Sequence, residues 1–182
     1  MGAAQAVAVF LSVYAEVNGK GASVSFPGSE EAYKALHTDT NQIILSHFHI
    51  HAALNPGKVD GRAFNIADGN PVKWVDIWPG LCEYFGLKGT GPDTTGGENT
   101  STGVKWMQNH EKEAKEWEKK YSLRGTSFYG ATWKFLQDIM GIPFDRQYDL
   151  SASRDVGFTE MADHVHSYCT AFDRLRAAKL IN

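Results

Sequence analysis

Residues 61–87, GRAFNIADGNPVKWVDIWPGLCEYFGL, constrain the fold more than any other stretch of the 182-residue chain. A short apolar run, Ala63–Ala67, is expected to form a strand, and Asp68-Gly69-Asn70 supplies its turn. The spacing then predicts a helix over Lys73–Phe85, with Trp74, Ile77, Trp78, Leu81 and Phe85 on or near one face. A stripe holding two indoles is stable only under a second layer, so the rest of the chain must supply one.

Most of what the chain supplies is helical. Apolar residues recur at helical spacing from Ala3 to Val17, and Asn18-Gly19 closes the run as a C-cap. Ala22–Phe26 reads as a short strand ended by Pro27-Gly28. Ser29 then caps a short helix through Leu36. Asp39 or Thr40 is expected to cap a helix over Asn41–Leu54, which Asn55-Pro56-Gly57 stops. Residues 86–103, GLKGTGPDTTGGENTSTG, lack apolar periodicity and read as a loop inside a single domain spanning 1–182. They contain neither GxGxxG nor GxxxxGK[ST], so their glycines are not read as a phosphate cradle. Further helices are expected over Val104–Tyr121, Thr126–Met140, Leu150–Val156 and Thr159–Leu180. The fold class is therefore α+β and mostly helical, with two short strands and about six or seven helices.

Composition removes several function classes. The formal net charge is −3 and the basic residues do not cluster, which argues against a nucleic-acid partner. The apolar start MGAAQAVAVFLSVYA has no Lys or Arg before it and is too short to span a bilayer, so neither a signal peptide nor a membrane anchor is expected. Asn99-Thr100-Ser101 matches a glycosylation pattern that means little without secretion. Cys82 and Cys169 lie far apart, as buried thiols of a reducing compartment would, and a cytoplasmic address follows.

Four stretches, taken in order, then carry a resemblance: FPG (26–28), RAFNIADGNPVKWVDIWPGLCEYFGL (62–87), YDLSASRDVGF (148–158) and FDRLRAAKLI (172–181). Together they resemble the PRISE family, the progesterone 5β-reductase and iridoid synthase-like branch of extended short-chain dehydrogenases/reductases. The likeness covers nearly the whole chain but only the C-terminal half of the family's usual length. The resemblance implies a Rossmann unit with a glycine fingerprint and a catalytic Lys and Tyr for NADPH-dependent enone reduction. None of these matches a position in this sequence, so the fold is expected to be a substrate-binding half without its dinucleotide-binding unit, and no cofactor is expected.

Among candidate site residues, His47, His49 and His51 form HFHIH, which departs from the family pattern. On a strand all three would face one side as metal ligands; on a helix only His47 and His51 share a face. Three roles stay open for that pair: metal ligation, hydrogen bonding or proton transfer in a pocket, and a surface or packing role. No third ligand stands nearby, and no metal is expected. Phe128, Tyr129, Trp133 and Phe135 form a dense ring cluster that reads equally well as core or as pocket wall. The family's C-terminal helices cap an apolar pocket, which implies a substrate-binding role for these rings, joined by Trp106. The resulting expectation is a cofactor-independent cyclase or isomerase of secondary metabolism, folding a small apolar terpenoid or polyketide as in an intramolecular Diels–Alder reaction. Its catalytic candidates are His47, His51 and Tyr129; its substrate walls are Phe128, Trp133, Phe135 and Trp106. The alternatives are a non-catalytic accessory subunit of a reductase, or a fragment of an NADPH-dependent enone reductase. Bare strand edges would also permit a homodimer.

Overall fold

The computed structural model describes residues 2–93, 103–125 and 133–182. Its centre is α1 (Ala3–Asn18), in which every residue from Ala6 to Tyr14 is buried. A helix apolar on all sides must be enclosed on all sides. Three helices do so here: α7 (Glu111–Lys120), α8 (Trp133–Met140) and α10 (His164–Ala177). Gly19 ends α1 at φ 82°, a conformation that favours glycine, and its N–H returns to the Ala15 carbonyl.

The tryptophan stripe forms α5 (Trp74–Tyr84), and Trp74, Ile77, Trp78 and Leu81 are all buried in the main core. Against α5 lies a parallel pair, β1 (Ser23–Ser25) with β4 (Lys88–Thr90), in register Ser23–Lys88, Val24–Gly89 and Ser25–Thr90. The Trp78 indole N–H donates to the Val24 carbonyl at 3.3 Å, so the helix hydrogen-bonds the strand as well as covering it. A second, antiparallel pair joins β2 (Leu36–His37) to β3 (Val72–Lys73), and Arg146 bridges to His37.

A smaller core holds Ile44, Phe48, Val156 and Phe158, with Phe64 and Ile66 packed against it. It sits under α3 (Gln42–Leu54), whose N-terminus is fixed by Asn41. The Asn41 side-chain oxygen accepts from the Ile43 and Ile44 N–H groups at 2.8 and 2.9 Å, while its amide donates to Ser167. The cap is thus Asn41 and not Asp39 or Thr40, because Asp39 and Thr40 are engaged with Tyr168 and Ile66 instead. Replacing Asn41 with Ala should cost about 1 kcal/mol, toward the upper side of the roughly 0.5–2 range because the Ser167 bond goes too. A lower urea midpoint at unchanged m-value would report it.

The remaining elements are α2 (Glu30–Lys34), α4 (Pro56–Val59), α6 (Gly103–Asn109) and α9 (Ser151–Asp155). Among the described residues there are thus ten helices and four strands of two or three residues, more elements than the sequence suggests. Three expectations are corrected. Ala63–Ala67 is not a strand, because no neighbouring chain forms a ladder with it. The helix expected over Val104–Tyr121 is two, interrupted at His110, whose ring nitrogen bonds the Trp106 carbonyl. The loop from residue 86 contains β4 near its start. No helix among the described residues is long and apolar enough to cross a membrane.

Candidate functional site

A cleft opens between α1, β1 and α6, lined by Phe10, Tyr14, Ser23, Val24, Ser25, Pro27, Gly103 and Trp106. It is shallow: the enclosed volume is about 40 Å³, and the rest of the roughly 370 Å³ of empty space around it opens to solvent. Its wall is a set of three rings. Trp106 meets Phe10 edge-on at 5.7 Å and Tyr14 at 4.9 Å, and His110 stacks beneath Trp106 at 4.0 Å, fixing the indole plane. Helical spacing in α1 brings Phe10 and Tyr14 onto one face, four residues apart. Gly103 permits the close approach of α6, since a Cβ there would stand 3.1 Å from Pro27.

Three hydroxyl-bearing residues, Tyr14, Ser23 and Ser25, border these rings. Tyr14 donates to the Ser23 carbonyl at 2.8 Å, and burial, with a smaller contribution from Cys82, raises its phenol above the ordinary tyrosine range. Its oxygen therefore stays protonated and keeps a lone pair free to accept. The Ser25 hydroxyl makes no hydrogen bond among the described residues and is available as a donor. Aromatic rings beside serine hydroxyls are suited to a small molecule bearing a carbonyl.

Of the residues singled out in the sequence, Trp106 lies in this cleft. Trp133, on α8, is half-buried against the main core. Phe128 and Tyr129, and the side chain of Phe135, lie outside what is described. His47 and His51 share one flank of α3, as the helical reading requires, and neither lines the cleft. His47 pairs with Glu160 at 2.7 Å on the surface. His51 donates through Nε2 to the Val156 carbonyl at 3.1 Å, beside Phe48 and Phe158. His49 points elsewhere and donates to the Leu45 carbonyl of its own helix. Among the described residues no three His, Cys, Asp or Glu side chains converge to hold a metal ion.

The sequence gives no hint of a second polar assembly, centred on His37 of β2. His37 is fully buried, stacks on Trp74 at 4.8 Å, and lies 3.4 Å from Asp39 through Nε2. Tyr168 donates to the same Asp39 carboxylate at 3.3 Å, and burial, then Asp39, holds its phenol well above the usual range. Next to them Asp68 is buried and accepts the Asn41 N–H at 2.6 Å, yet burial raises its carboxyl above the ordinary aspartate range. A raised folded-state pKa means that Asp68 contributes stability below its unfolded pKa and loses it as pH rises through the folded value. Asp68→Asn keeps the acceptor for Asn41 and removes the buried charge. The variant should unfold at an equal or higher temperature than wild type at neutral pH, and that advantage should vanish in the acid range where Asp68 is protonated. Melting curves across pH would read it, and a variant less stable at neutral pH than at acid pH, relative to wild type, would contradict it.

Comparison with known proteins places this geometry in context. The family model described as PRISE-like Rossmann-fold domain matches residues 1–182. The chain is 33% identical to the short chain dehydrogenase sirQ of Leptosphaeria maculans, over 98% of this chain and 44% of that protein. It is 26% identical to the 3-oxo-Delta(4,5)-steroid 5-beta-reductase of Arabidopsis thaliana, over 94% of this chain and 43% of the relative. It is 25% identical to the (S)-8-oxocitronellyl enol synthase CYC2 of Camptotheca acuminata, again over 94% and 43%. The chain spans less than half the length of these relatives.

A Rossmann-type match raises the question of a dinucleotide seat. A pyrophosphate needs an open, glycine-lined turn from a parallel strand into a helix N-terminus. The parallel pair among the described residues offers one such turn, Phe26–Ser29 between β1 and α2. There a Cβ at Gly28 would overlap the Met140 carbonyl and the Phe26 ring, and Ser29 already caps the Ala32 N–H. That turn is packed against α8 by the protein's own atoms and gives no seat for a pyrophosphate.

Proposed function

The chain belongs to the family of PRISE-like Rossmann-fold proteins, and from that premise we propose that it binds and shapes a small apolar carbonyl metabolite of terpenoid or polyketide type for isomerisation or cyclisation. The observation that carries this reading is the cleft, which the rings of Phe10, Tyr14 and Trp106 line together with Ser25. The names of two relatives support the substrate class. One is named as a reductase of a 3-oxo-Delta(4,5)-steroid and another as a synthase of an 8-oxocitronellyl enol, and both names carry an oxo group.

The chemistry follows from the cleft's two parts. The rings hold a flexible chain in a folded shape, and orientation of that kind can contribute about 7 kcal/mol or more in the best cases. A hydrogen bond from Ser25 to the carbonyl oxygen withdraws electron density from a conjugated double bond and stabilises charge that grows on oxygen. An intramolecular Diels–Alder closure is the concrete form we favour: three π bonds become two σ bonds and one π bond, with no electron donor required. No step in this reading passes through a nicotinamide, consistent with the filled turn at Gly28.

Calorimetric titration of the purified chain with a 3-oxo-Delta(4,5)-steroid and with a linear polyene aldehyde tests the binding. Saturable binding of at least one probe is expected, and heat no different from buffer for both would sink the reading. Incubating the polyene aldehyde with the chain, without nicotinamide, then separates turnover from binding. Product appearing no faster than in buffer would remove the cyclisation and leave a carrier or accessory subunit.

A further inference from the structure

Helices α6 and α7 part at His110, and the side chain there serves neither helix end. His110 is the N-cap of α7, at φ −113° and ψ 29°, and makes no side-chain cap bond. That position favours Ser, Thr, Asn or Asp, whose oxygen accepts from the first free N–H groups of the helix. A histidine is a poor choice for the task. The backbone of His110 already ties the two helices together. Its N–H is shared between the Trp106 and Met107 carbonyls at 3.1 and 3.2 Å, and its carbonyl accepts the Ala114 N–H at 2.9 Å.

The ring instead turns back onto α6. Nδ1 lies 2.8 Å from the Trp106 carbonyl, which can only accept, so the proton sits on Nδ1. Anchored in this way, the half-buried imidazole stacks on the buried indole four residues earlier, with centroids 4.0 Å apart and planes 17° off parallel. Trp106 then meets Phe10 edge-on, at 5.7 Å and 87°, and Tyr14 at 4.9 Å and 37°. Phe10, Tyr14 and Trp106 all line the cleft, and His110 does not.

We infer that His110 is a positioning residue for the cleft: its stack holds the Trp106 indole at the angle that joins the three rings into one wall for a ligand. The inference rests on the cleft being the binding site, and it names the residue outside the cleft that sets its shape. Trp106 stands on a helix of seven residues, and its side chain chooses among staggered rotamers. Without the imidazole against one face, the indole is free to leave the rotamer that completes the wall, and a ligand must reorder it on binding. Ordering a side chain at that moment weakens affinity, which a ring already held in place avoids. The shallowness of the cleft sharpens the effect, since a ligand lying against three rings has few other contacts to compensate.

Both parts of the histidine are used, the flat ring for the stack and the N–H for the anchor. Two substitutions separate them. His110→Asn removes the ring but keeps a short amide that can bond a nearby carbonyl or cap α7. Its far-UV circular dichroism and melting temperature should stay close to those of wild type. Its Kd for the 3-oxo-Delta(4,5)-steroid or the linear polyene aldehyde, whichever the wild type binds, should rise about threefold to tenfold, the size of one lost aromatic pair. His110→Phe keeps a ring and loses the anchor, and its Kd should stay within about twofold of wild type. Near-UV circular dichroism reports the stack with no ligand present: the tryptophan bands should weaken in His110→Asn and persist in His110→Phe. A role in the helix junction alone gives the reverse order, with His110→Phe the damaged variant.

Equal affinity of His110→Asn and wild type overturns the inference, as does an unchanged near-UV spectrum in that variant. Wild-type protein that binds neither probe overturns the reading of the cleft and this inference with it. The two failures are distinct, because only the first leaves wild-type binding intact.

Discussion

Trp78→Ala should remove about 3–5 kcal/mol of folding free energy, the range for truncating a large buried ring. A domain of this size has only about 5–15 kcal/mol in total, so the variant should be largely unfolded at modest urea or melt far below wild type. Three losses coincide at this residue. The indole is fully buried between α5 and the β1–β4 pair, and its removal leaves a cavity in the main core. Its edge contact with Phe26 at 5.5 Å goes, and so does the hydrogen bond to the Val24 carbonyl. Neighbouring elements are too tightly fitted to collapse into the gap: a Cβ at Gly89 would already stand 2.9 Å from the Pro79 backbone and 3.0 Å from the Trp78 ring. Trp78→Phe, which keeps most of the volume and loses the donor, should recover more than half of the loss. Equal unfolding midpoints for Trp78→Ala and wild type would show that this layer does not hold the fold together.

The importance of that layer was legible from spacing alone, because five apolar residues on one face of a helix require cover wherever the helix sits. The buried run in α1 and the Ser29 cap were legible for the same local reason. What spacing could not show depends on partners distant in sequence. β2, β3 and β4 are two or three residues long, too short to carry an alternation, and exist only through pairings such as Leu36 with Lys73. Ala63–Ala67 has the pattern of a strand and no ladder, since a strand is defined by a neighbour and not by its own residues. The cleft joins residues 10 and 14 to 23–27 and to 103 and 106. Only Trp106 stood out in the sequence, as a large ring on a predicted helix. Phe10 and Tyr14 were hidden inside an apolar run that reads as core throughout. The polar assembly at His37 draws on residues 39, 68, 146 and 168, and no spacing rule connects them.

Within the cleft, Ser25→Ala should separate catalysis from binding. If the Ser25 hydroxyl hydrogen-bonds the carbonyl as charge grows on it, its removal should lower kcat on a linear polyene aldehyde roughly 10²–10³-fold, the effect of deleting one well-placed donor. KM should change little, because the rings provide most of the binding to an apolar frame. The fold should be indifferent, since this hydroxyl has no hydrogen-bond partner among the described residues to leave stranded. Trp106→Ala should do the opposite. It removes the ring that meets both Phe10 and Tyr14, so affinity should fall about tenfold to a hundredfold. Trp106 is also buried, and its loss will lower stability, so Trp106→Phe is the necessary companion: it should restore the fold and part of the affinity. The two substitutions thus act on different kinetic parameters, which a purely structural role for the cleft would not produce. Ser25→Ala turning over at the wild-type rate while Trp106→Phe binds as wild type would mean that the reacting molecule sits elsewhere on the protein.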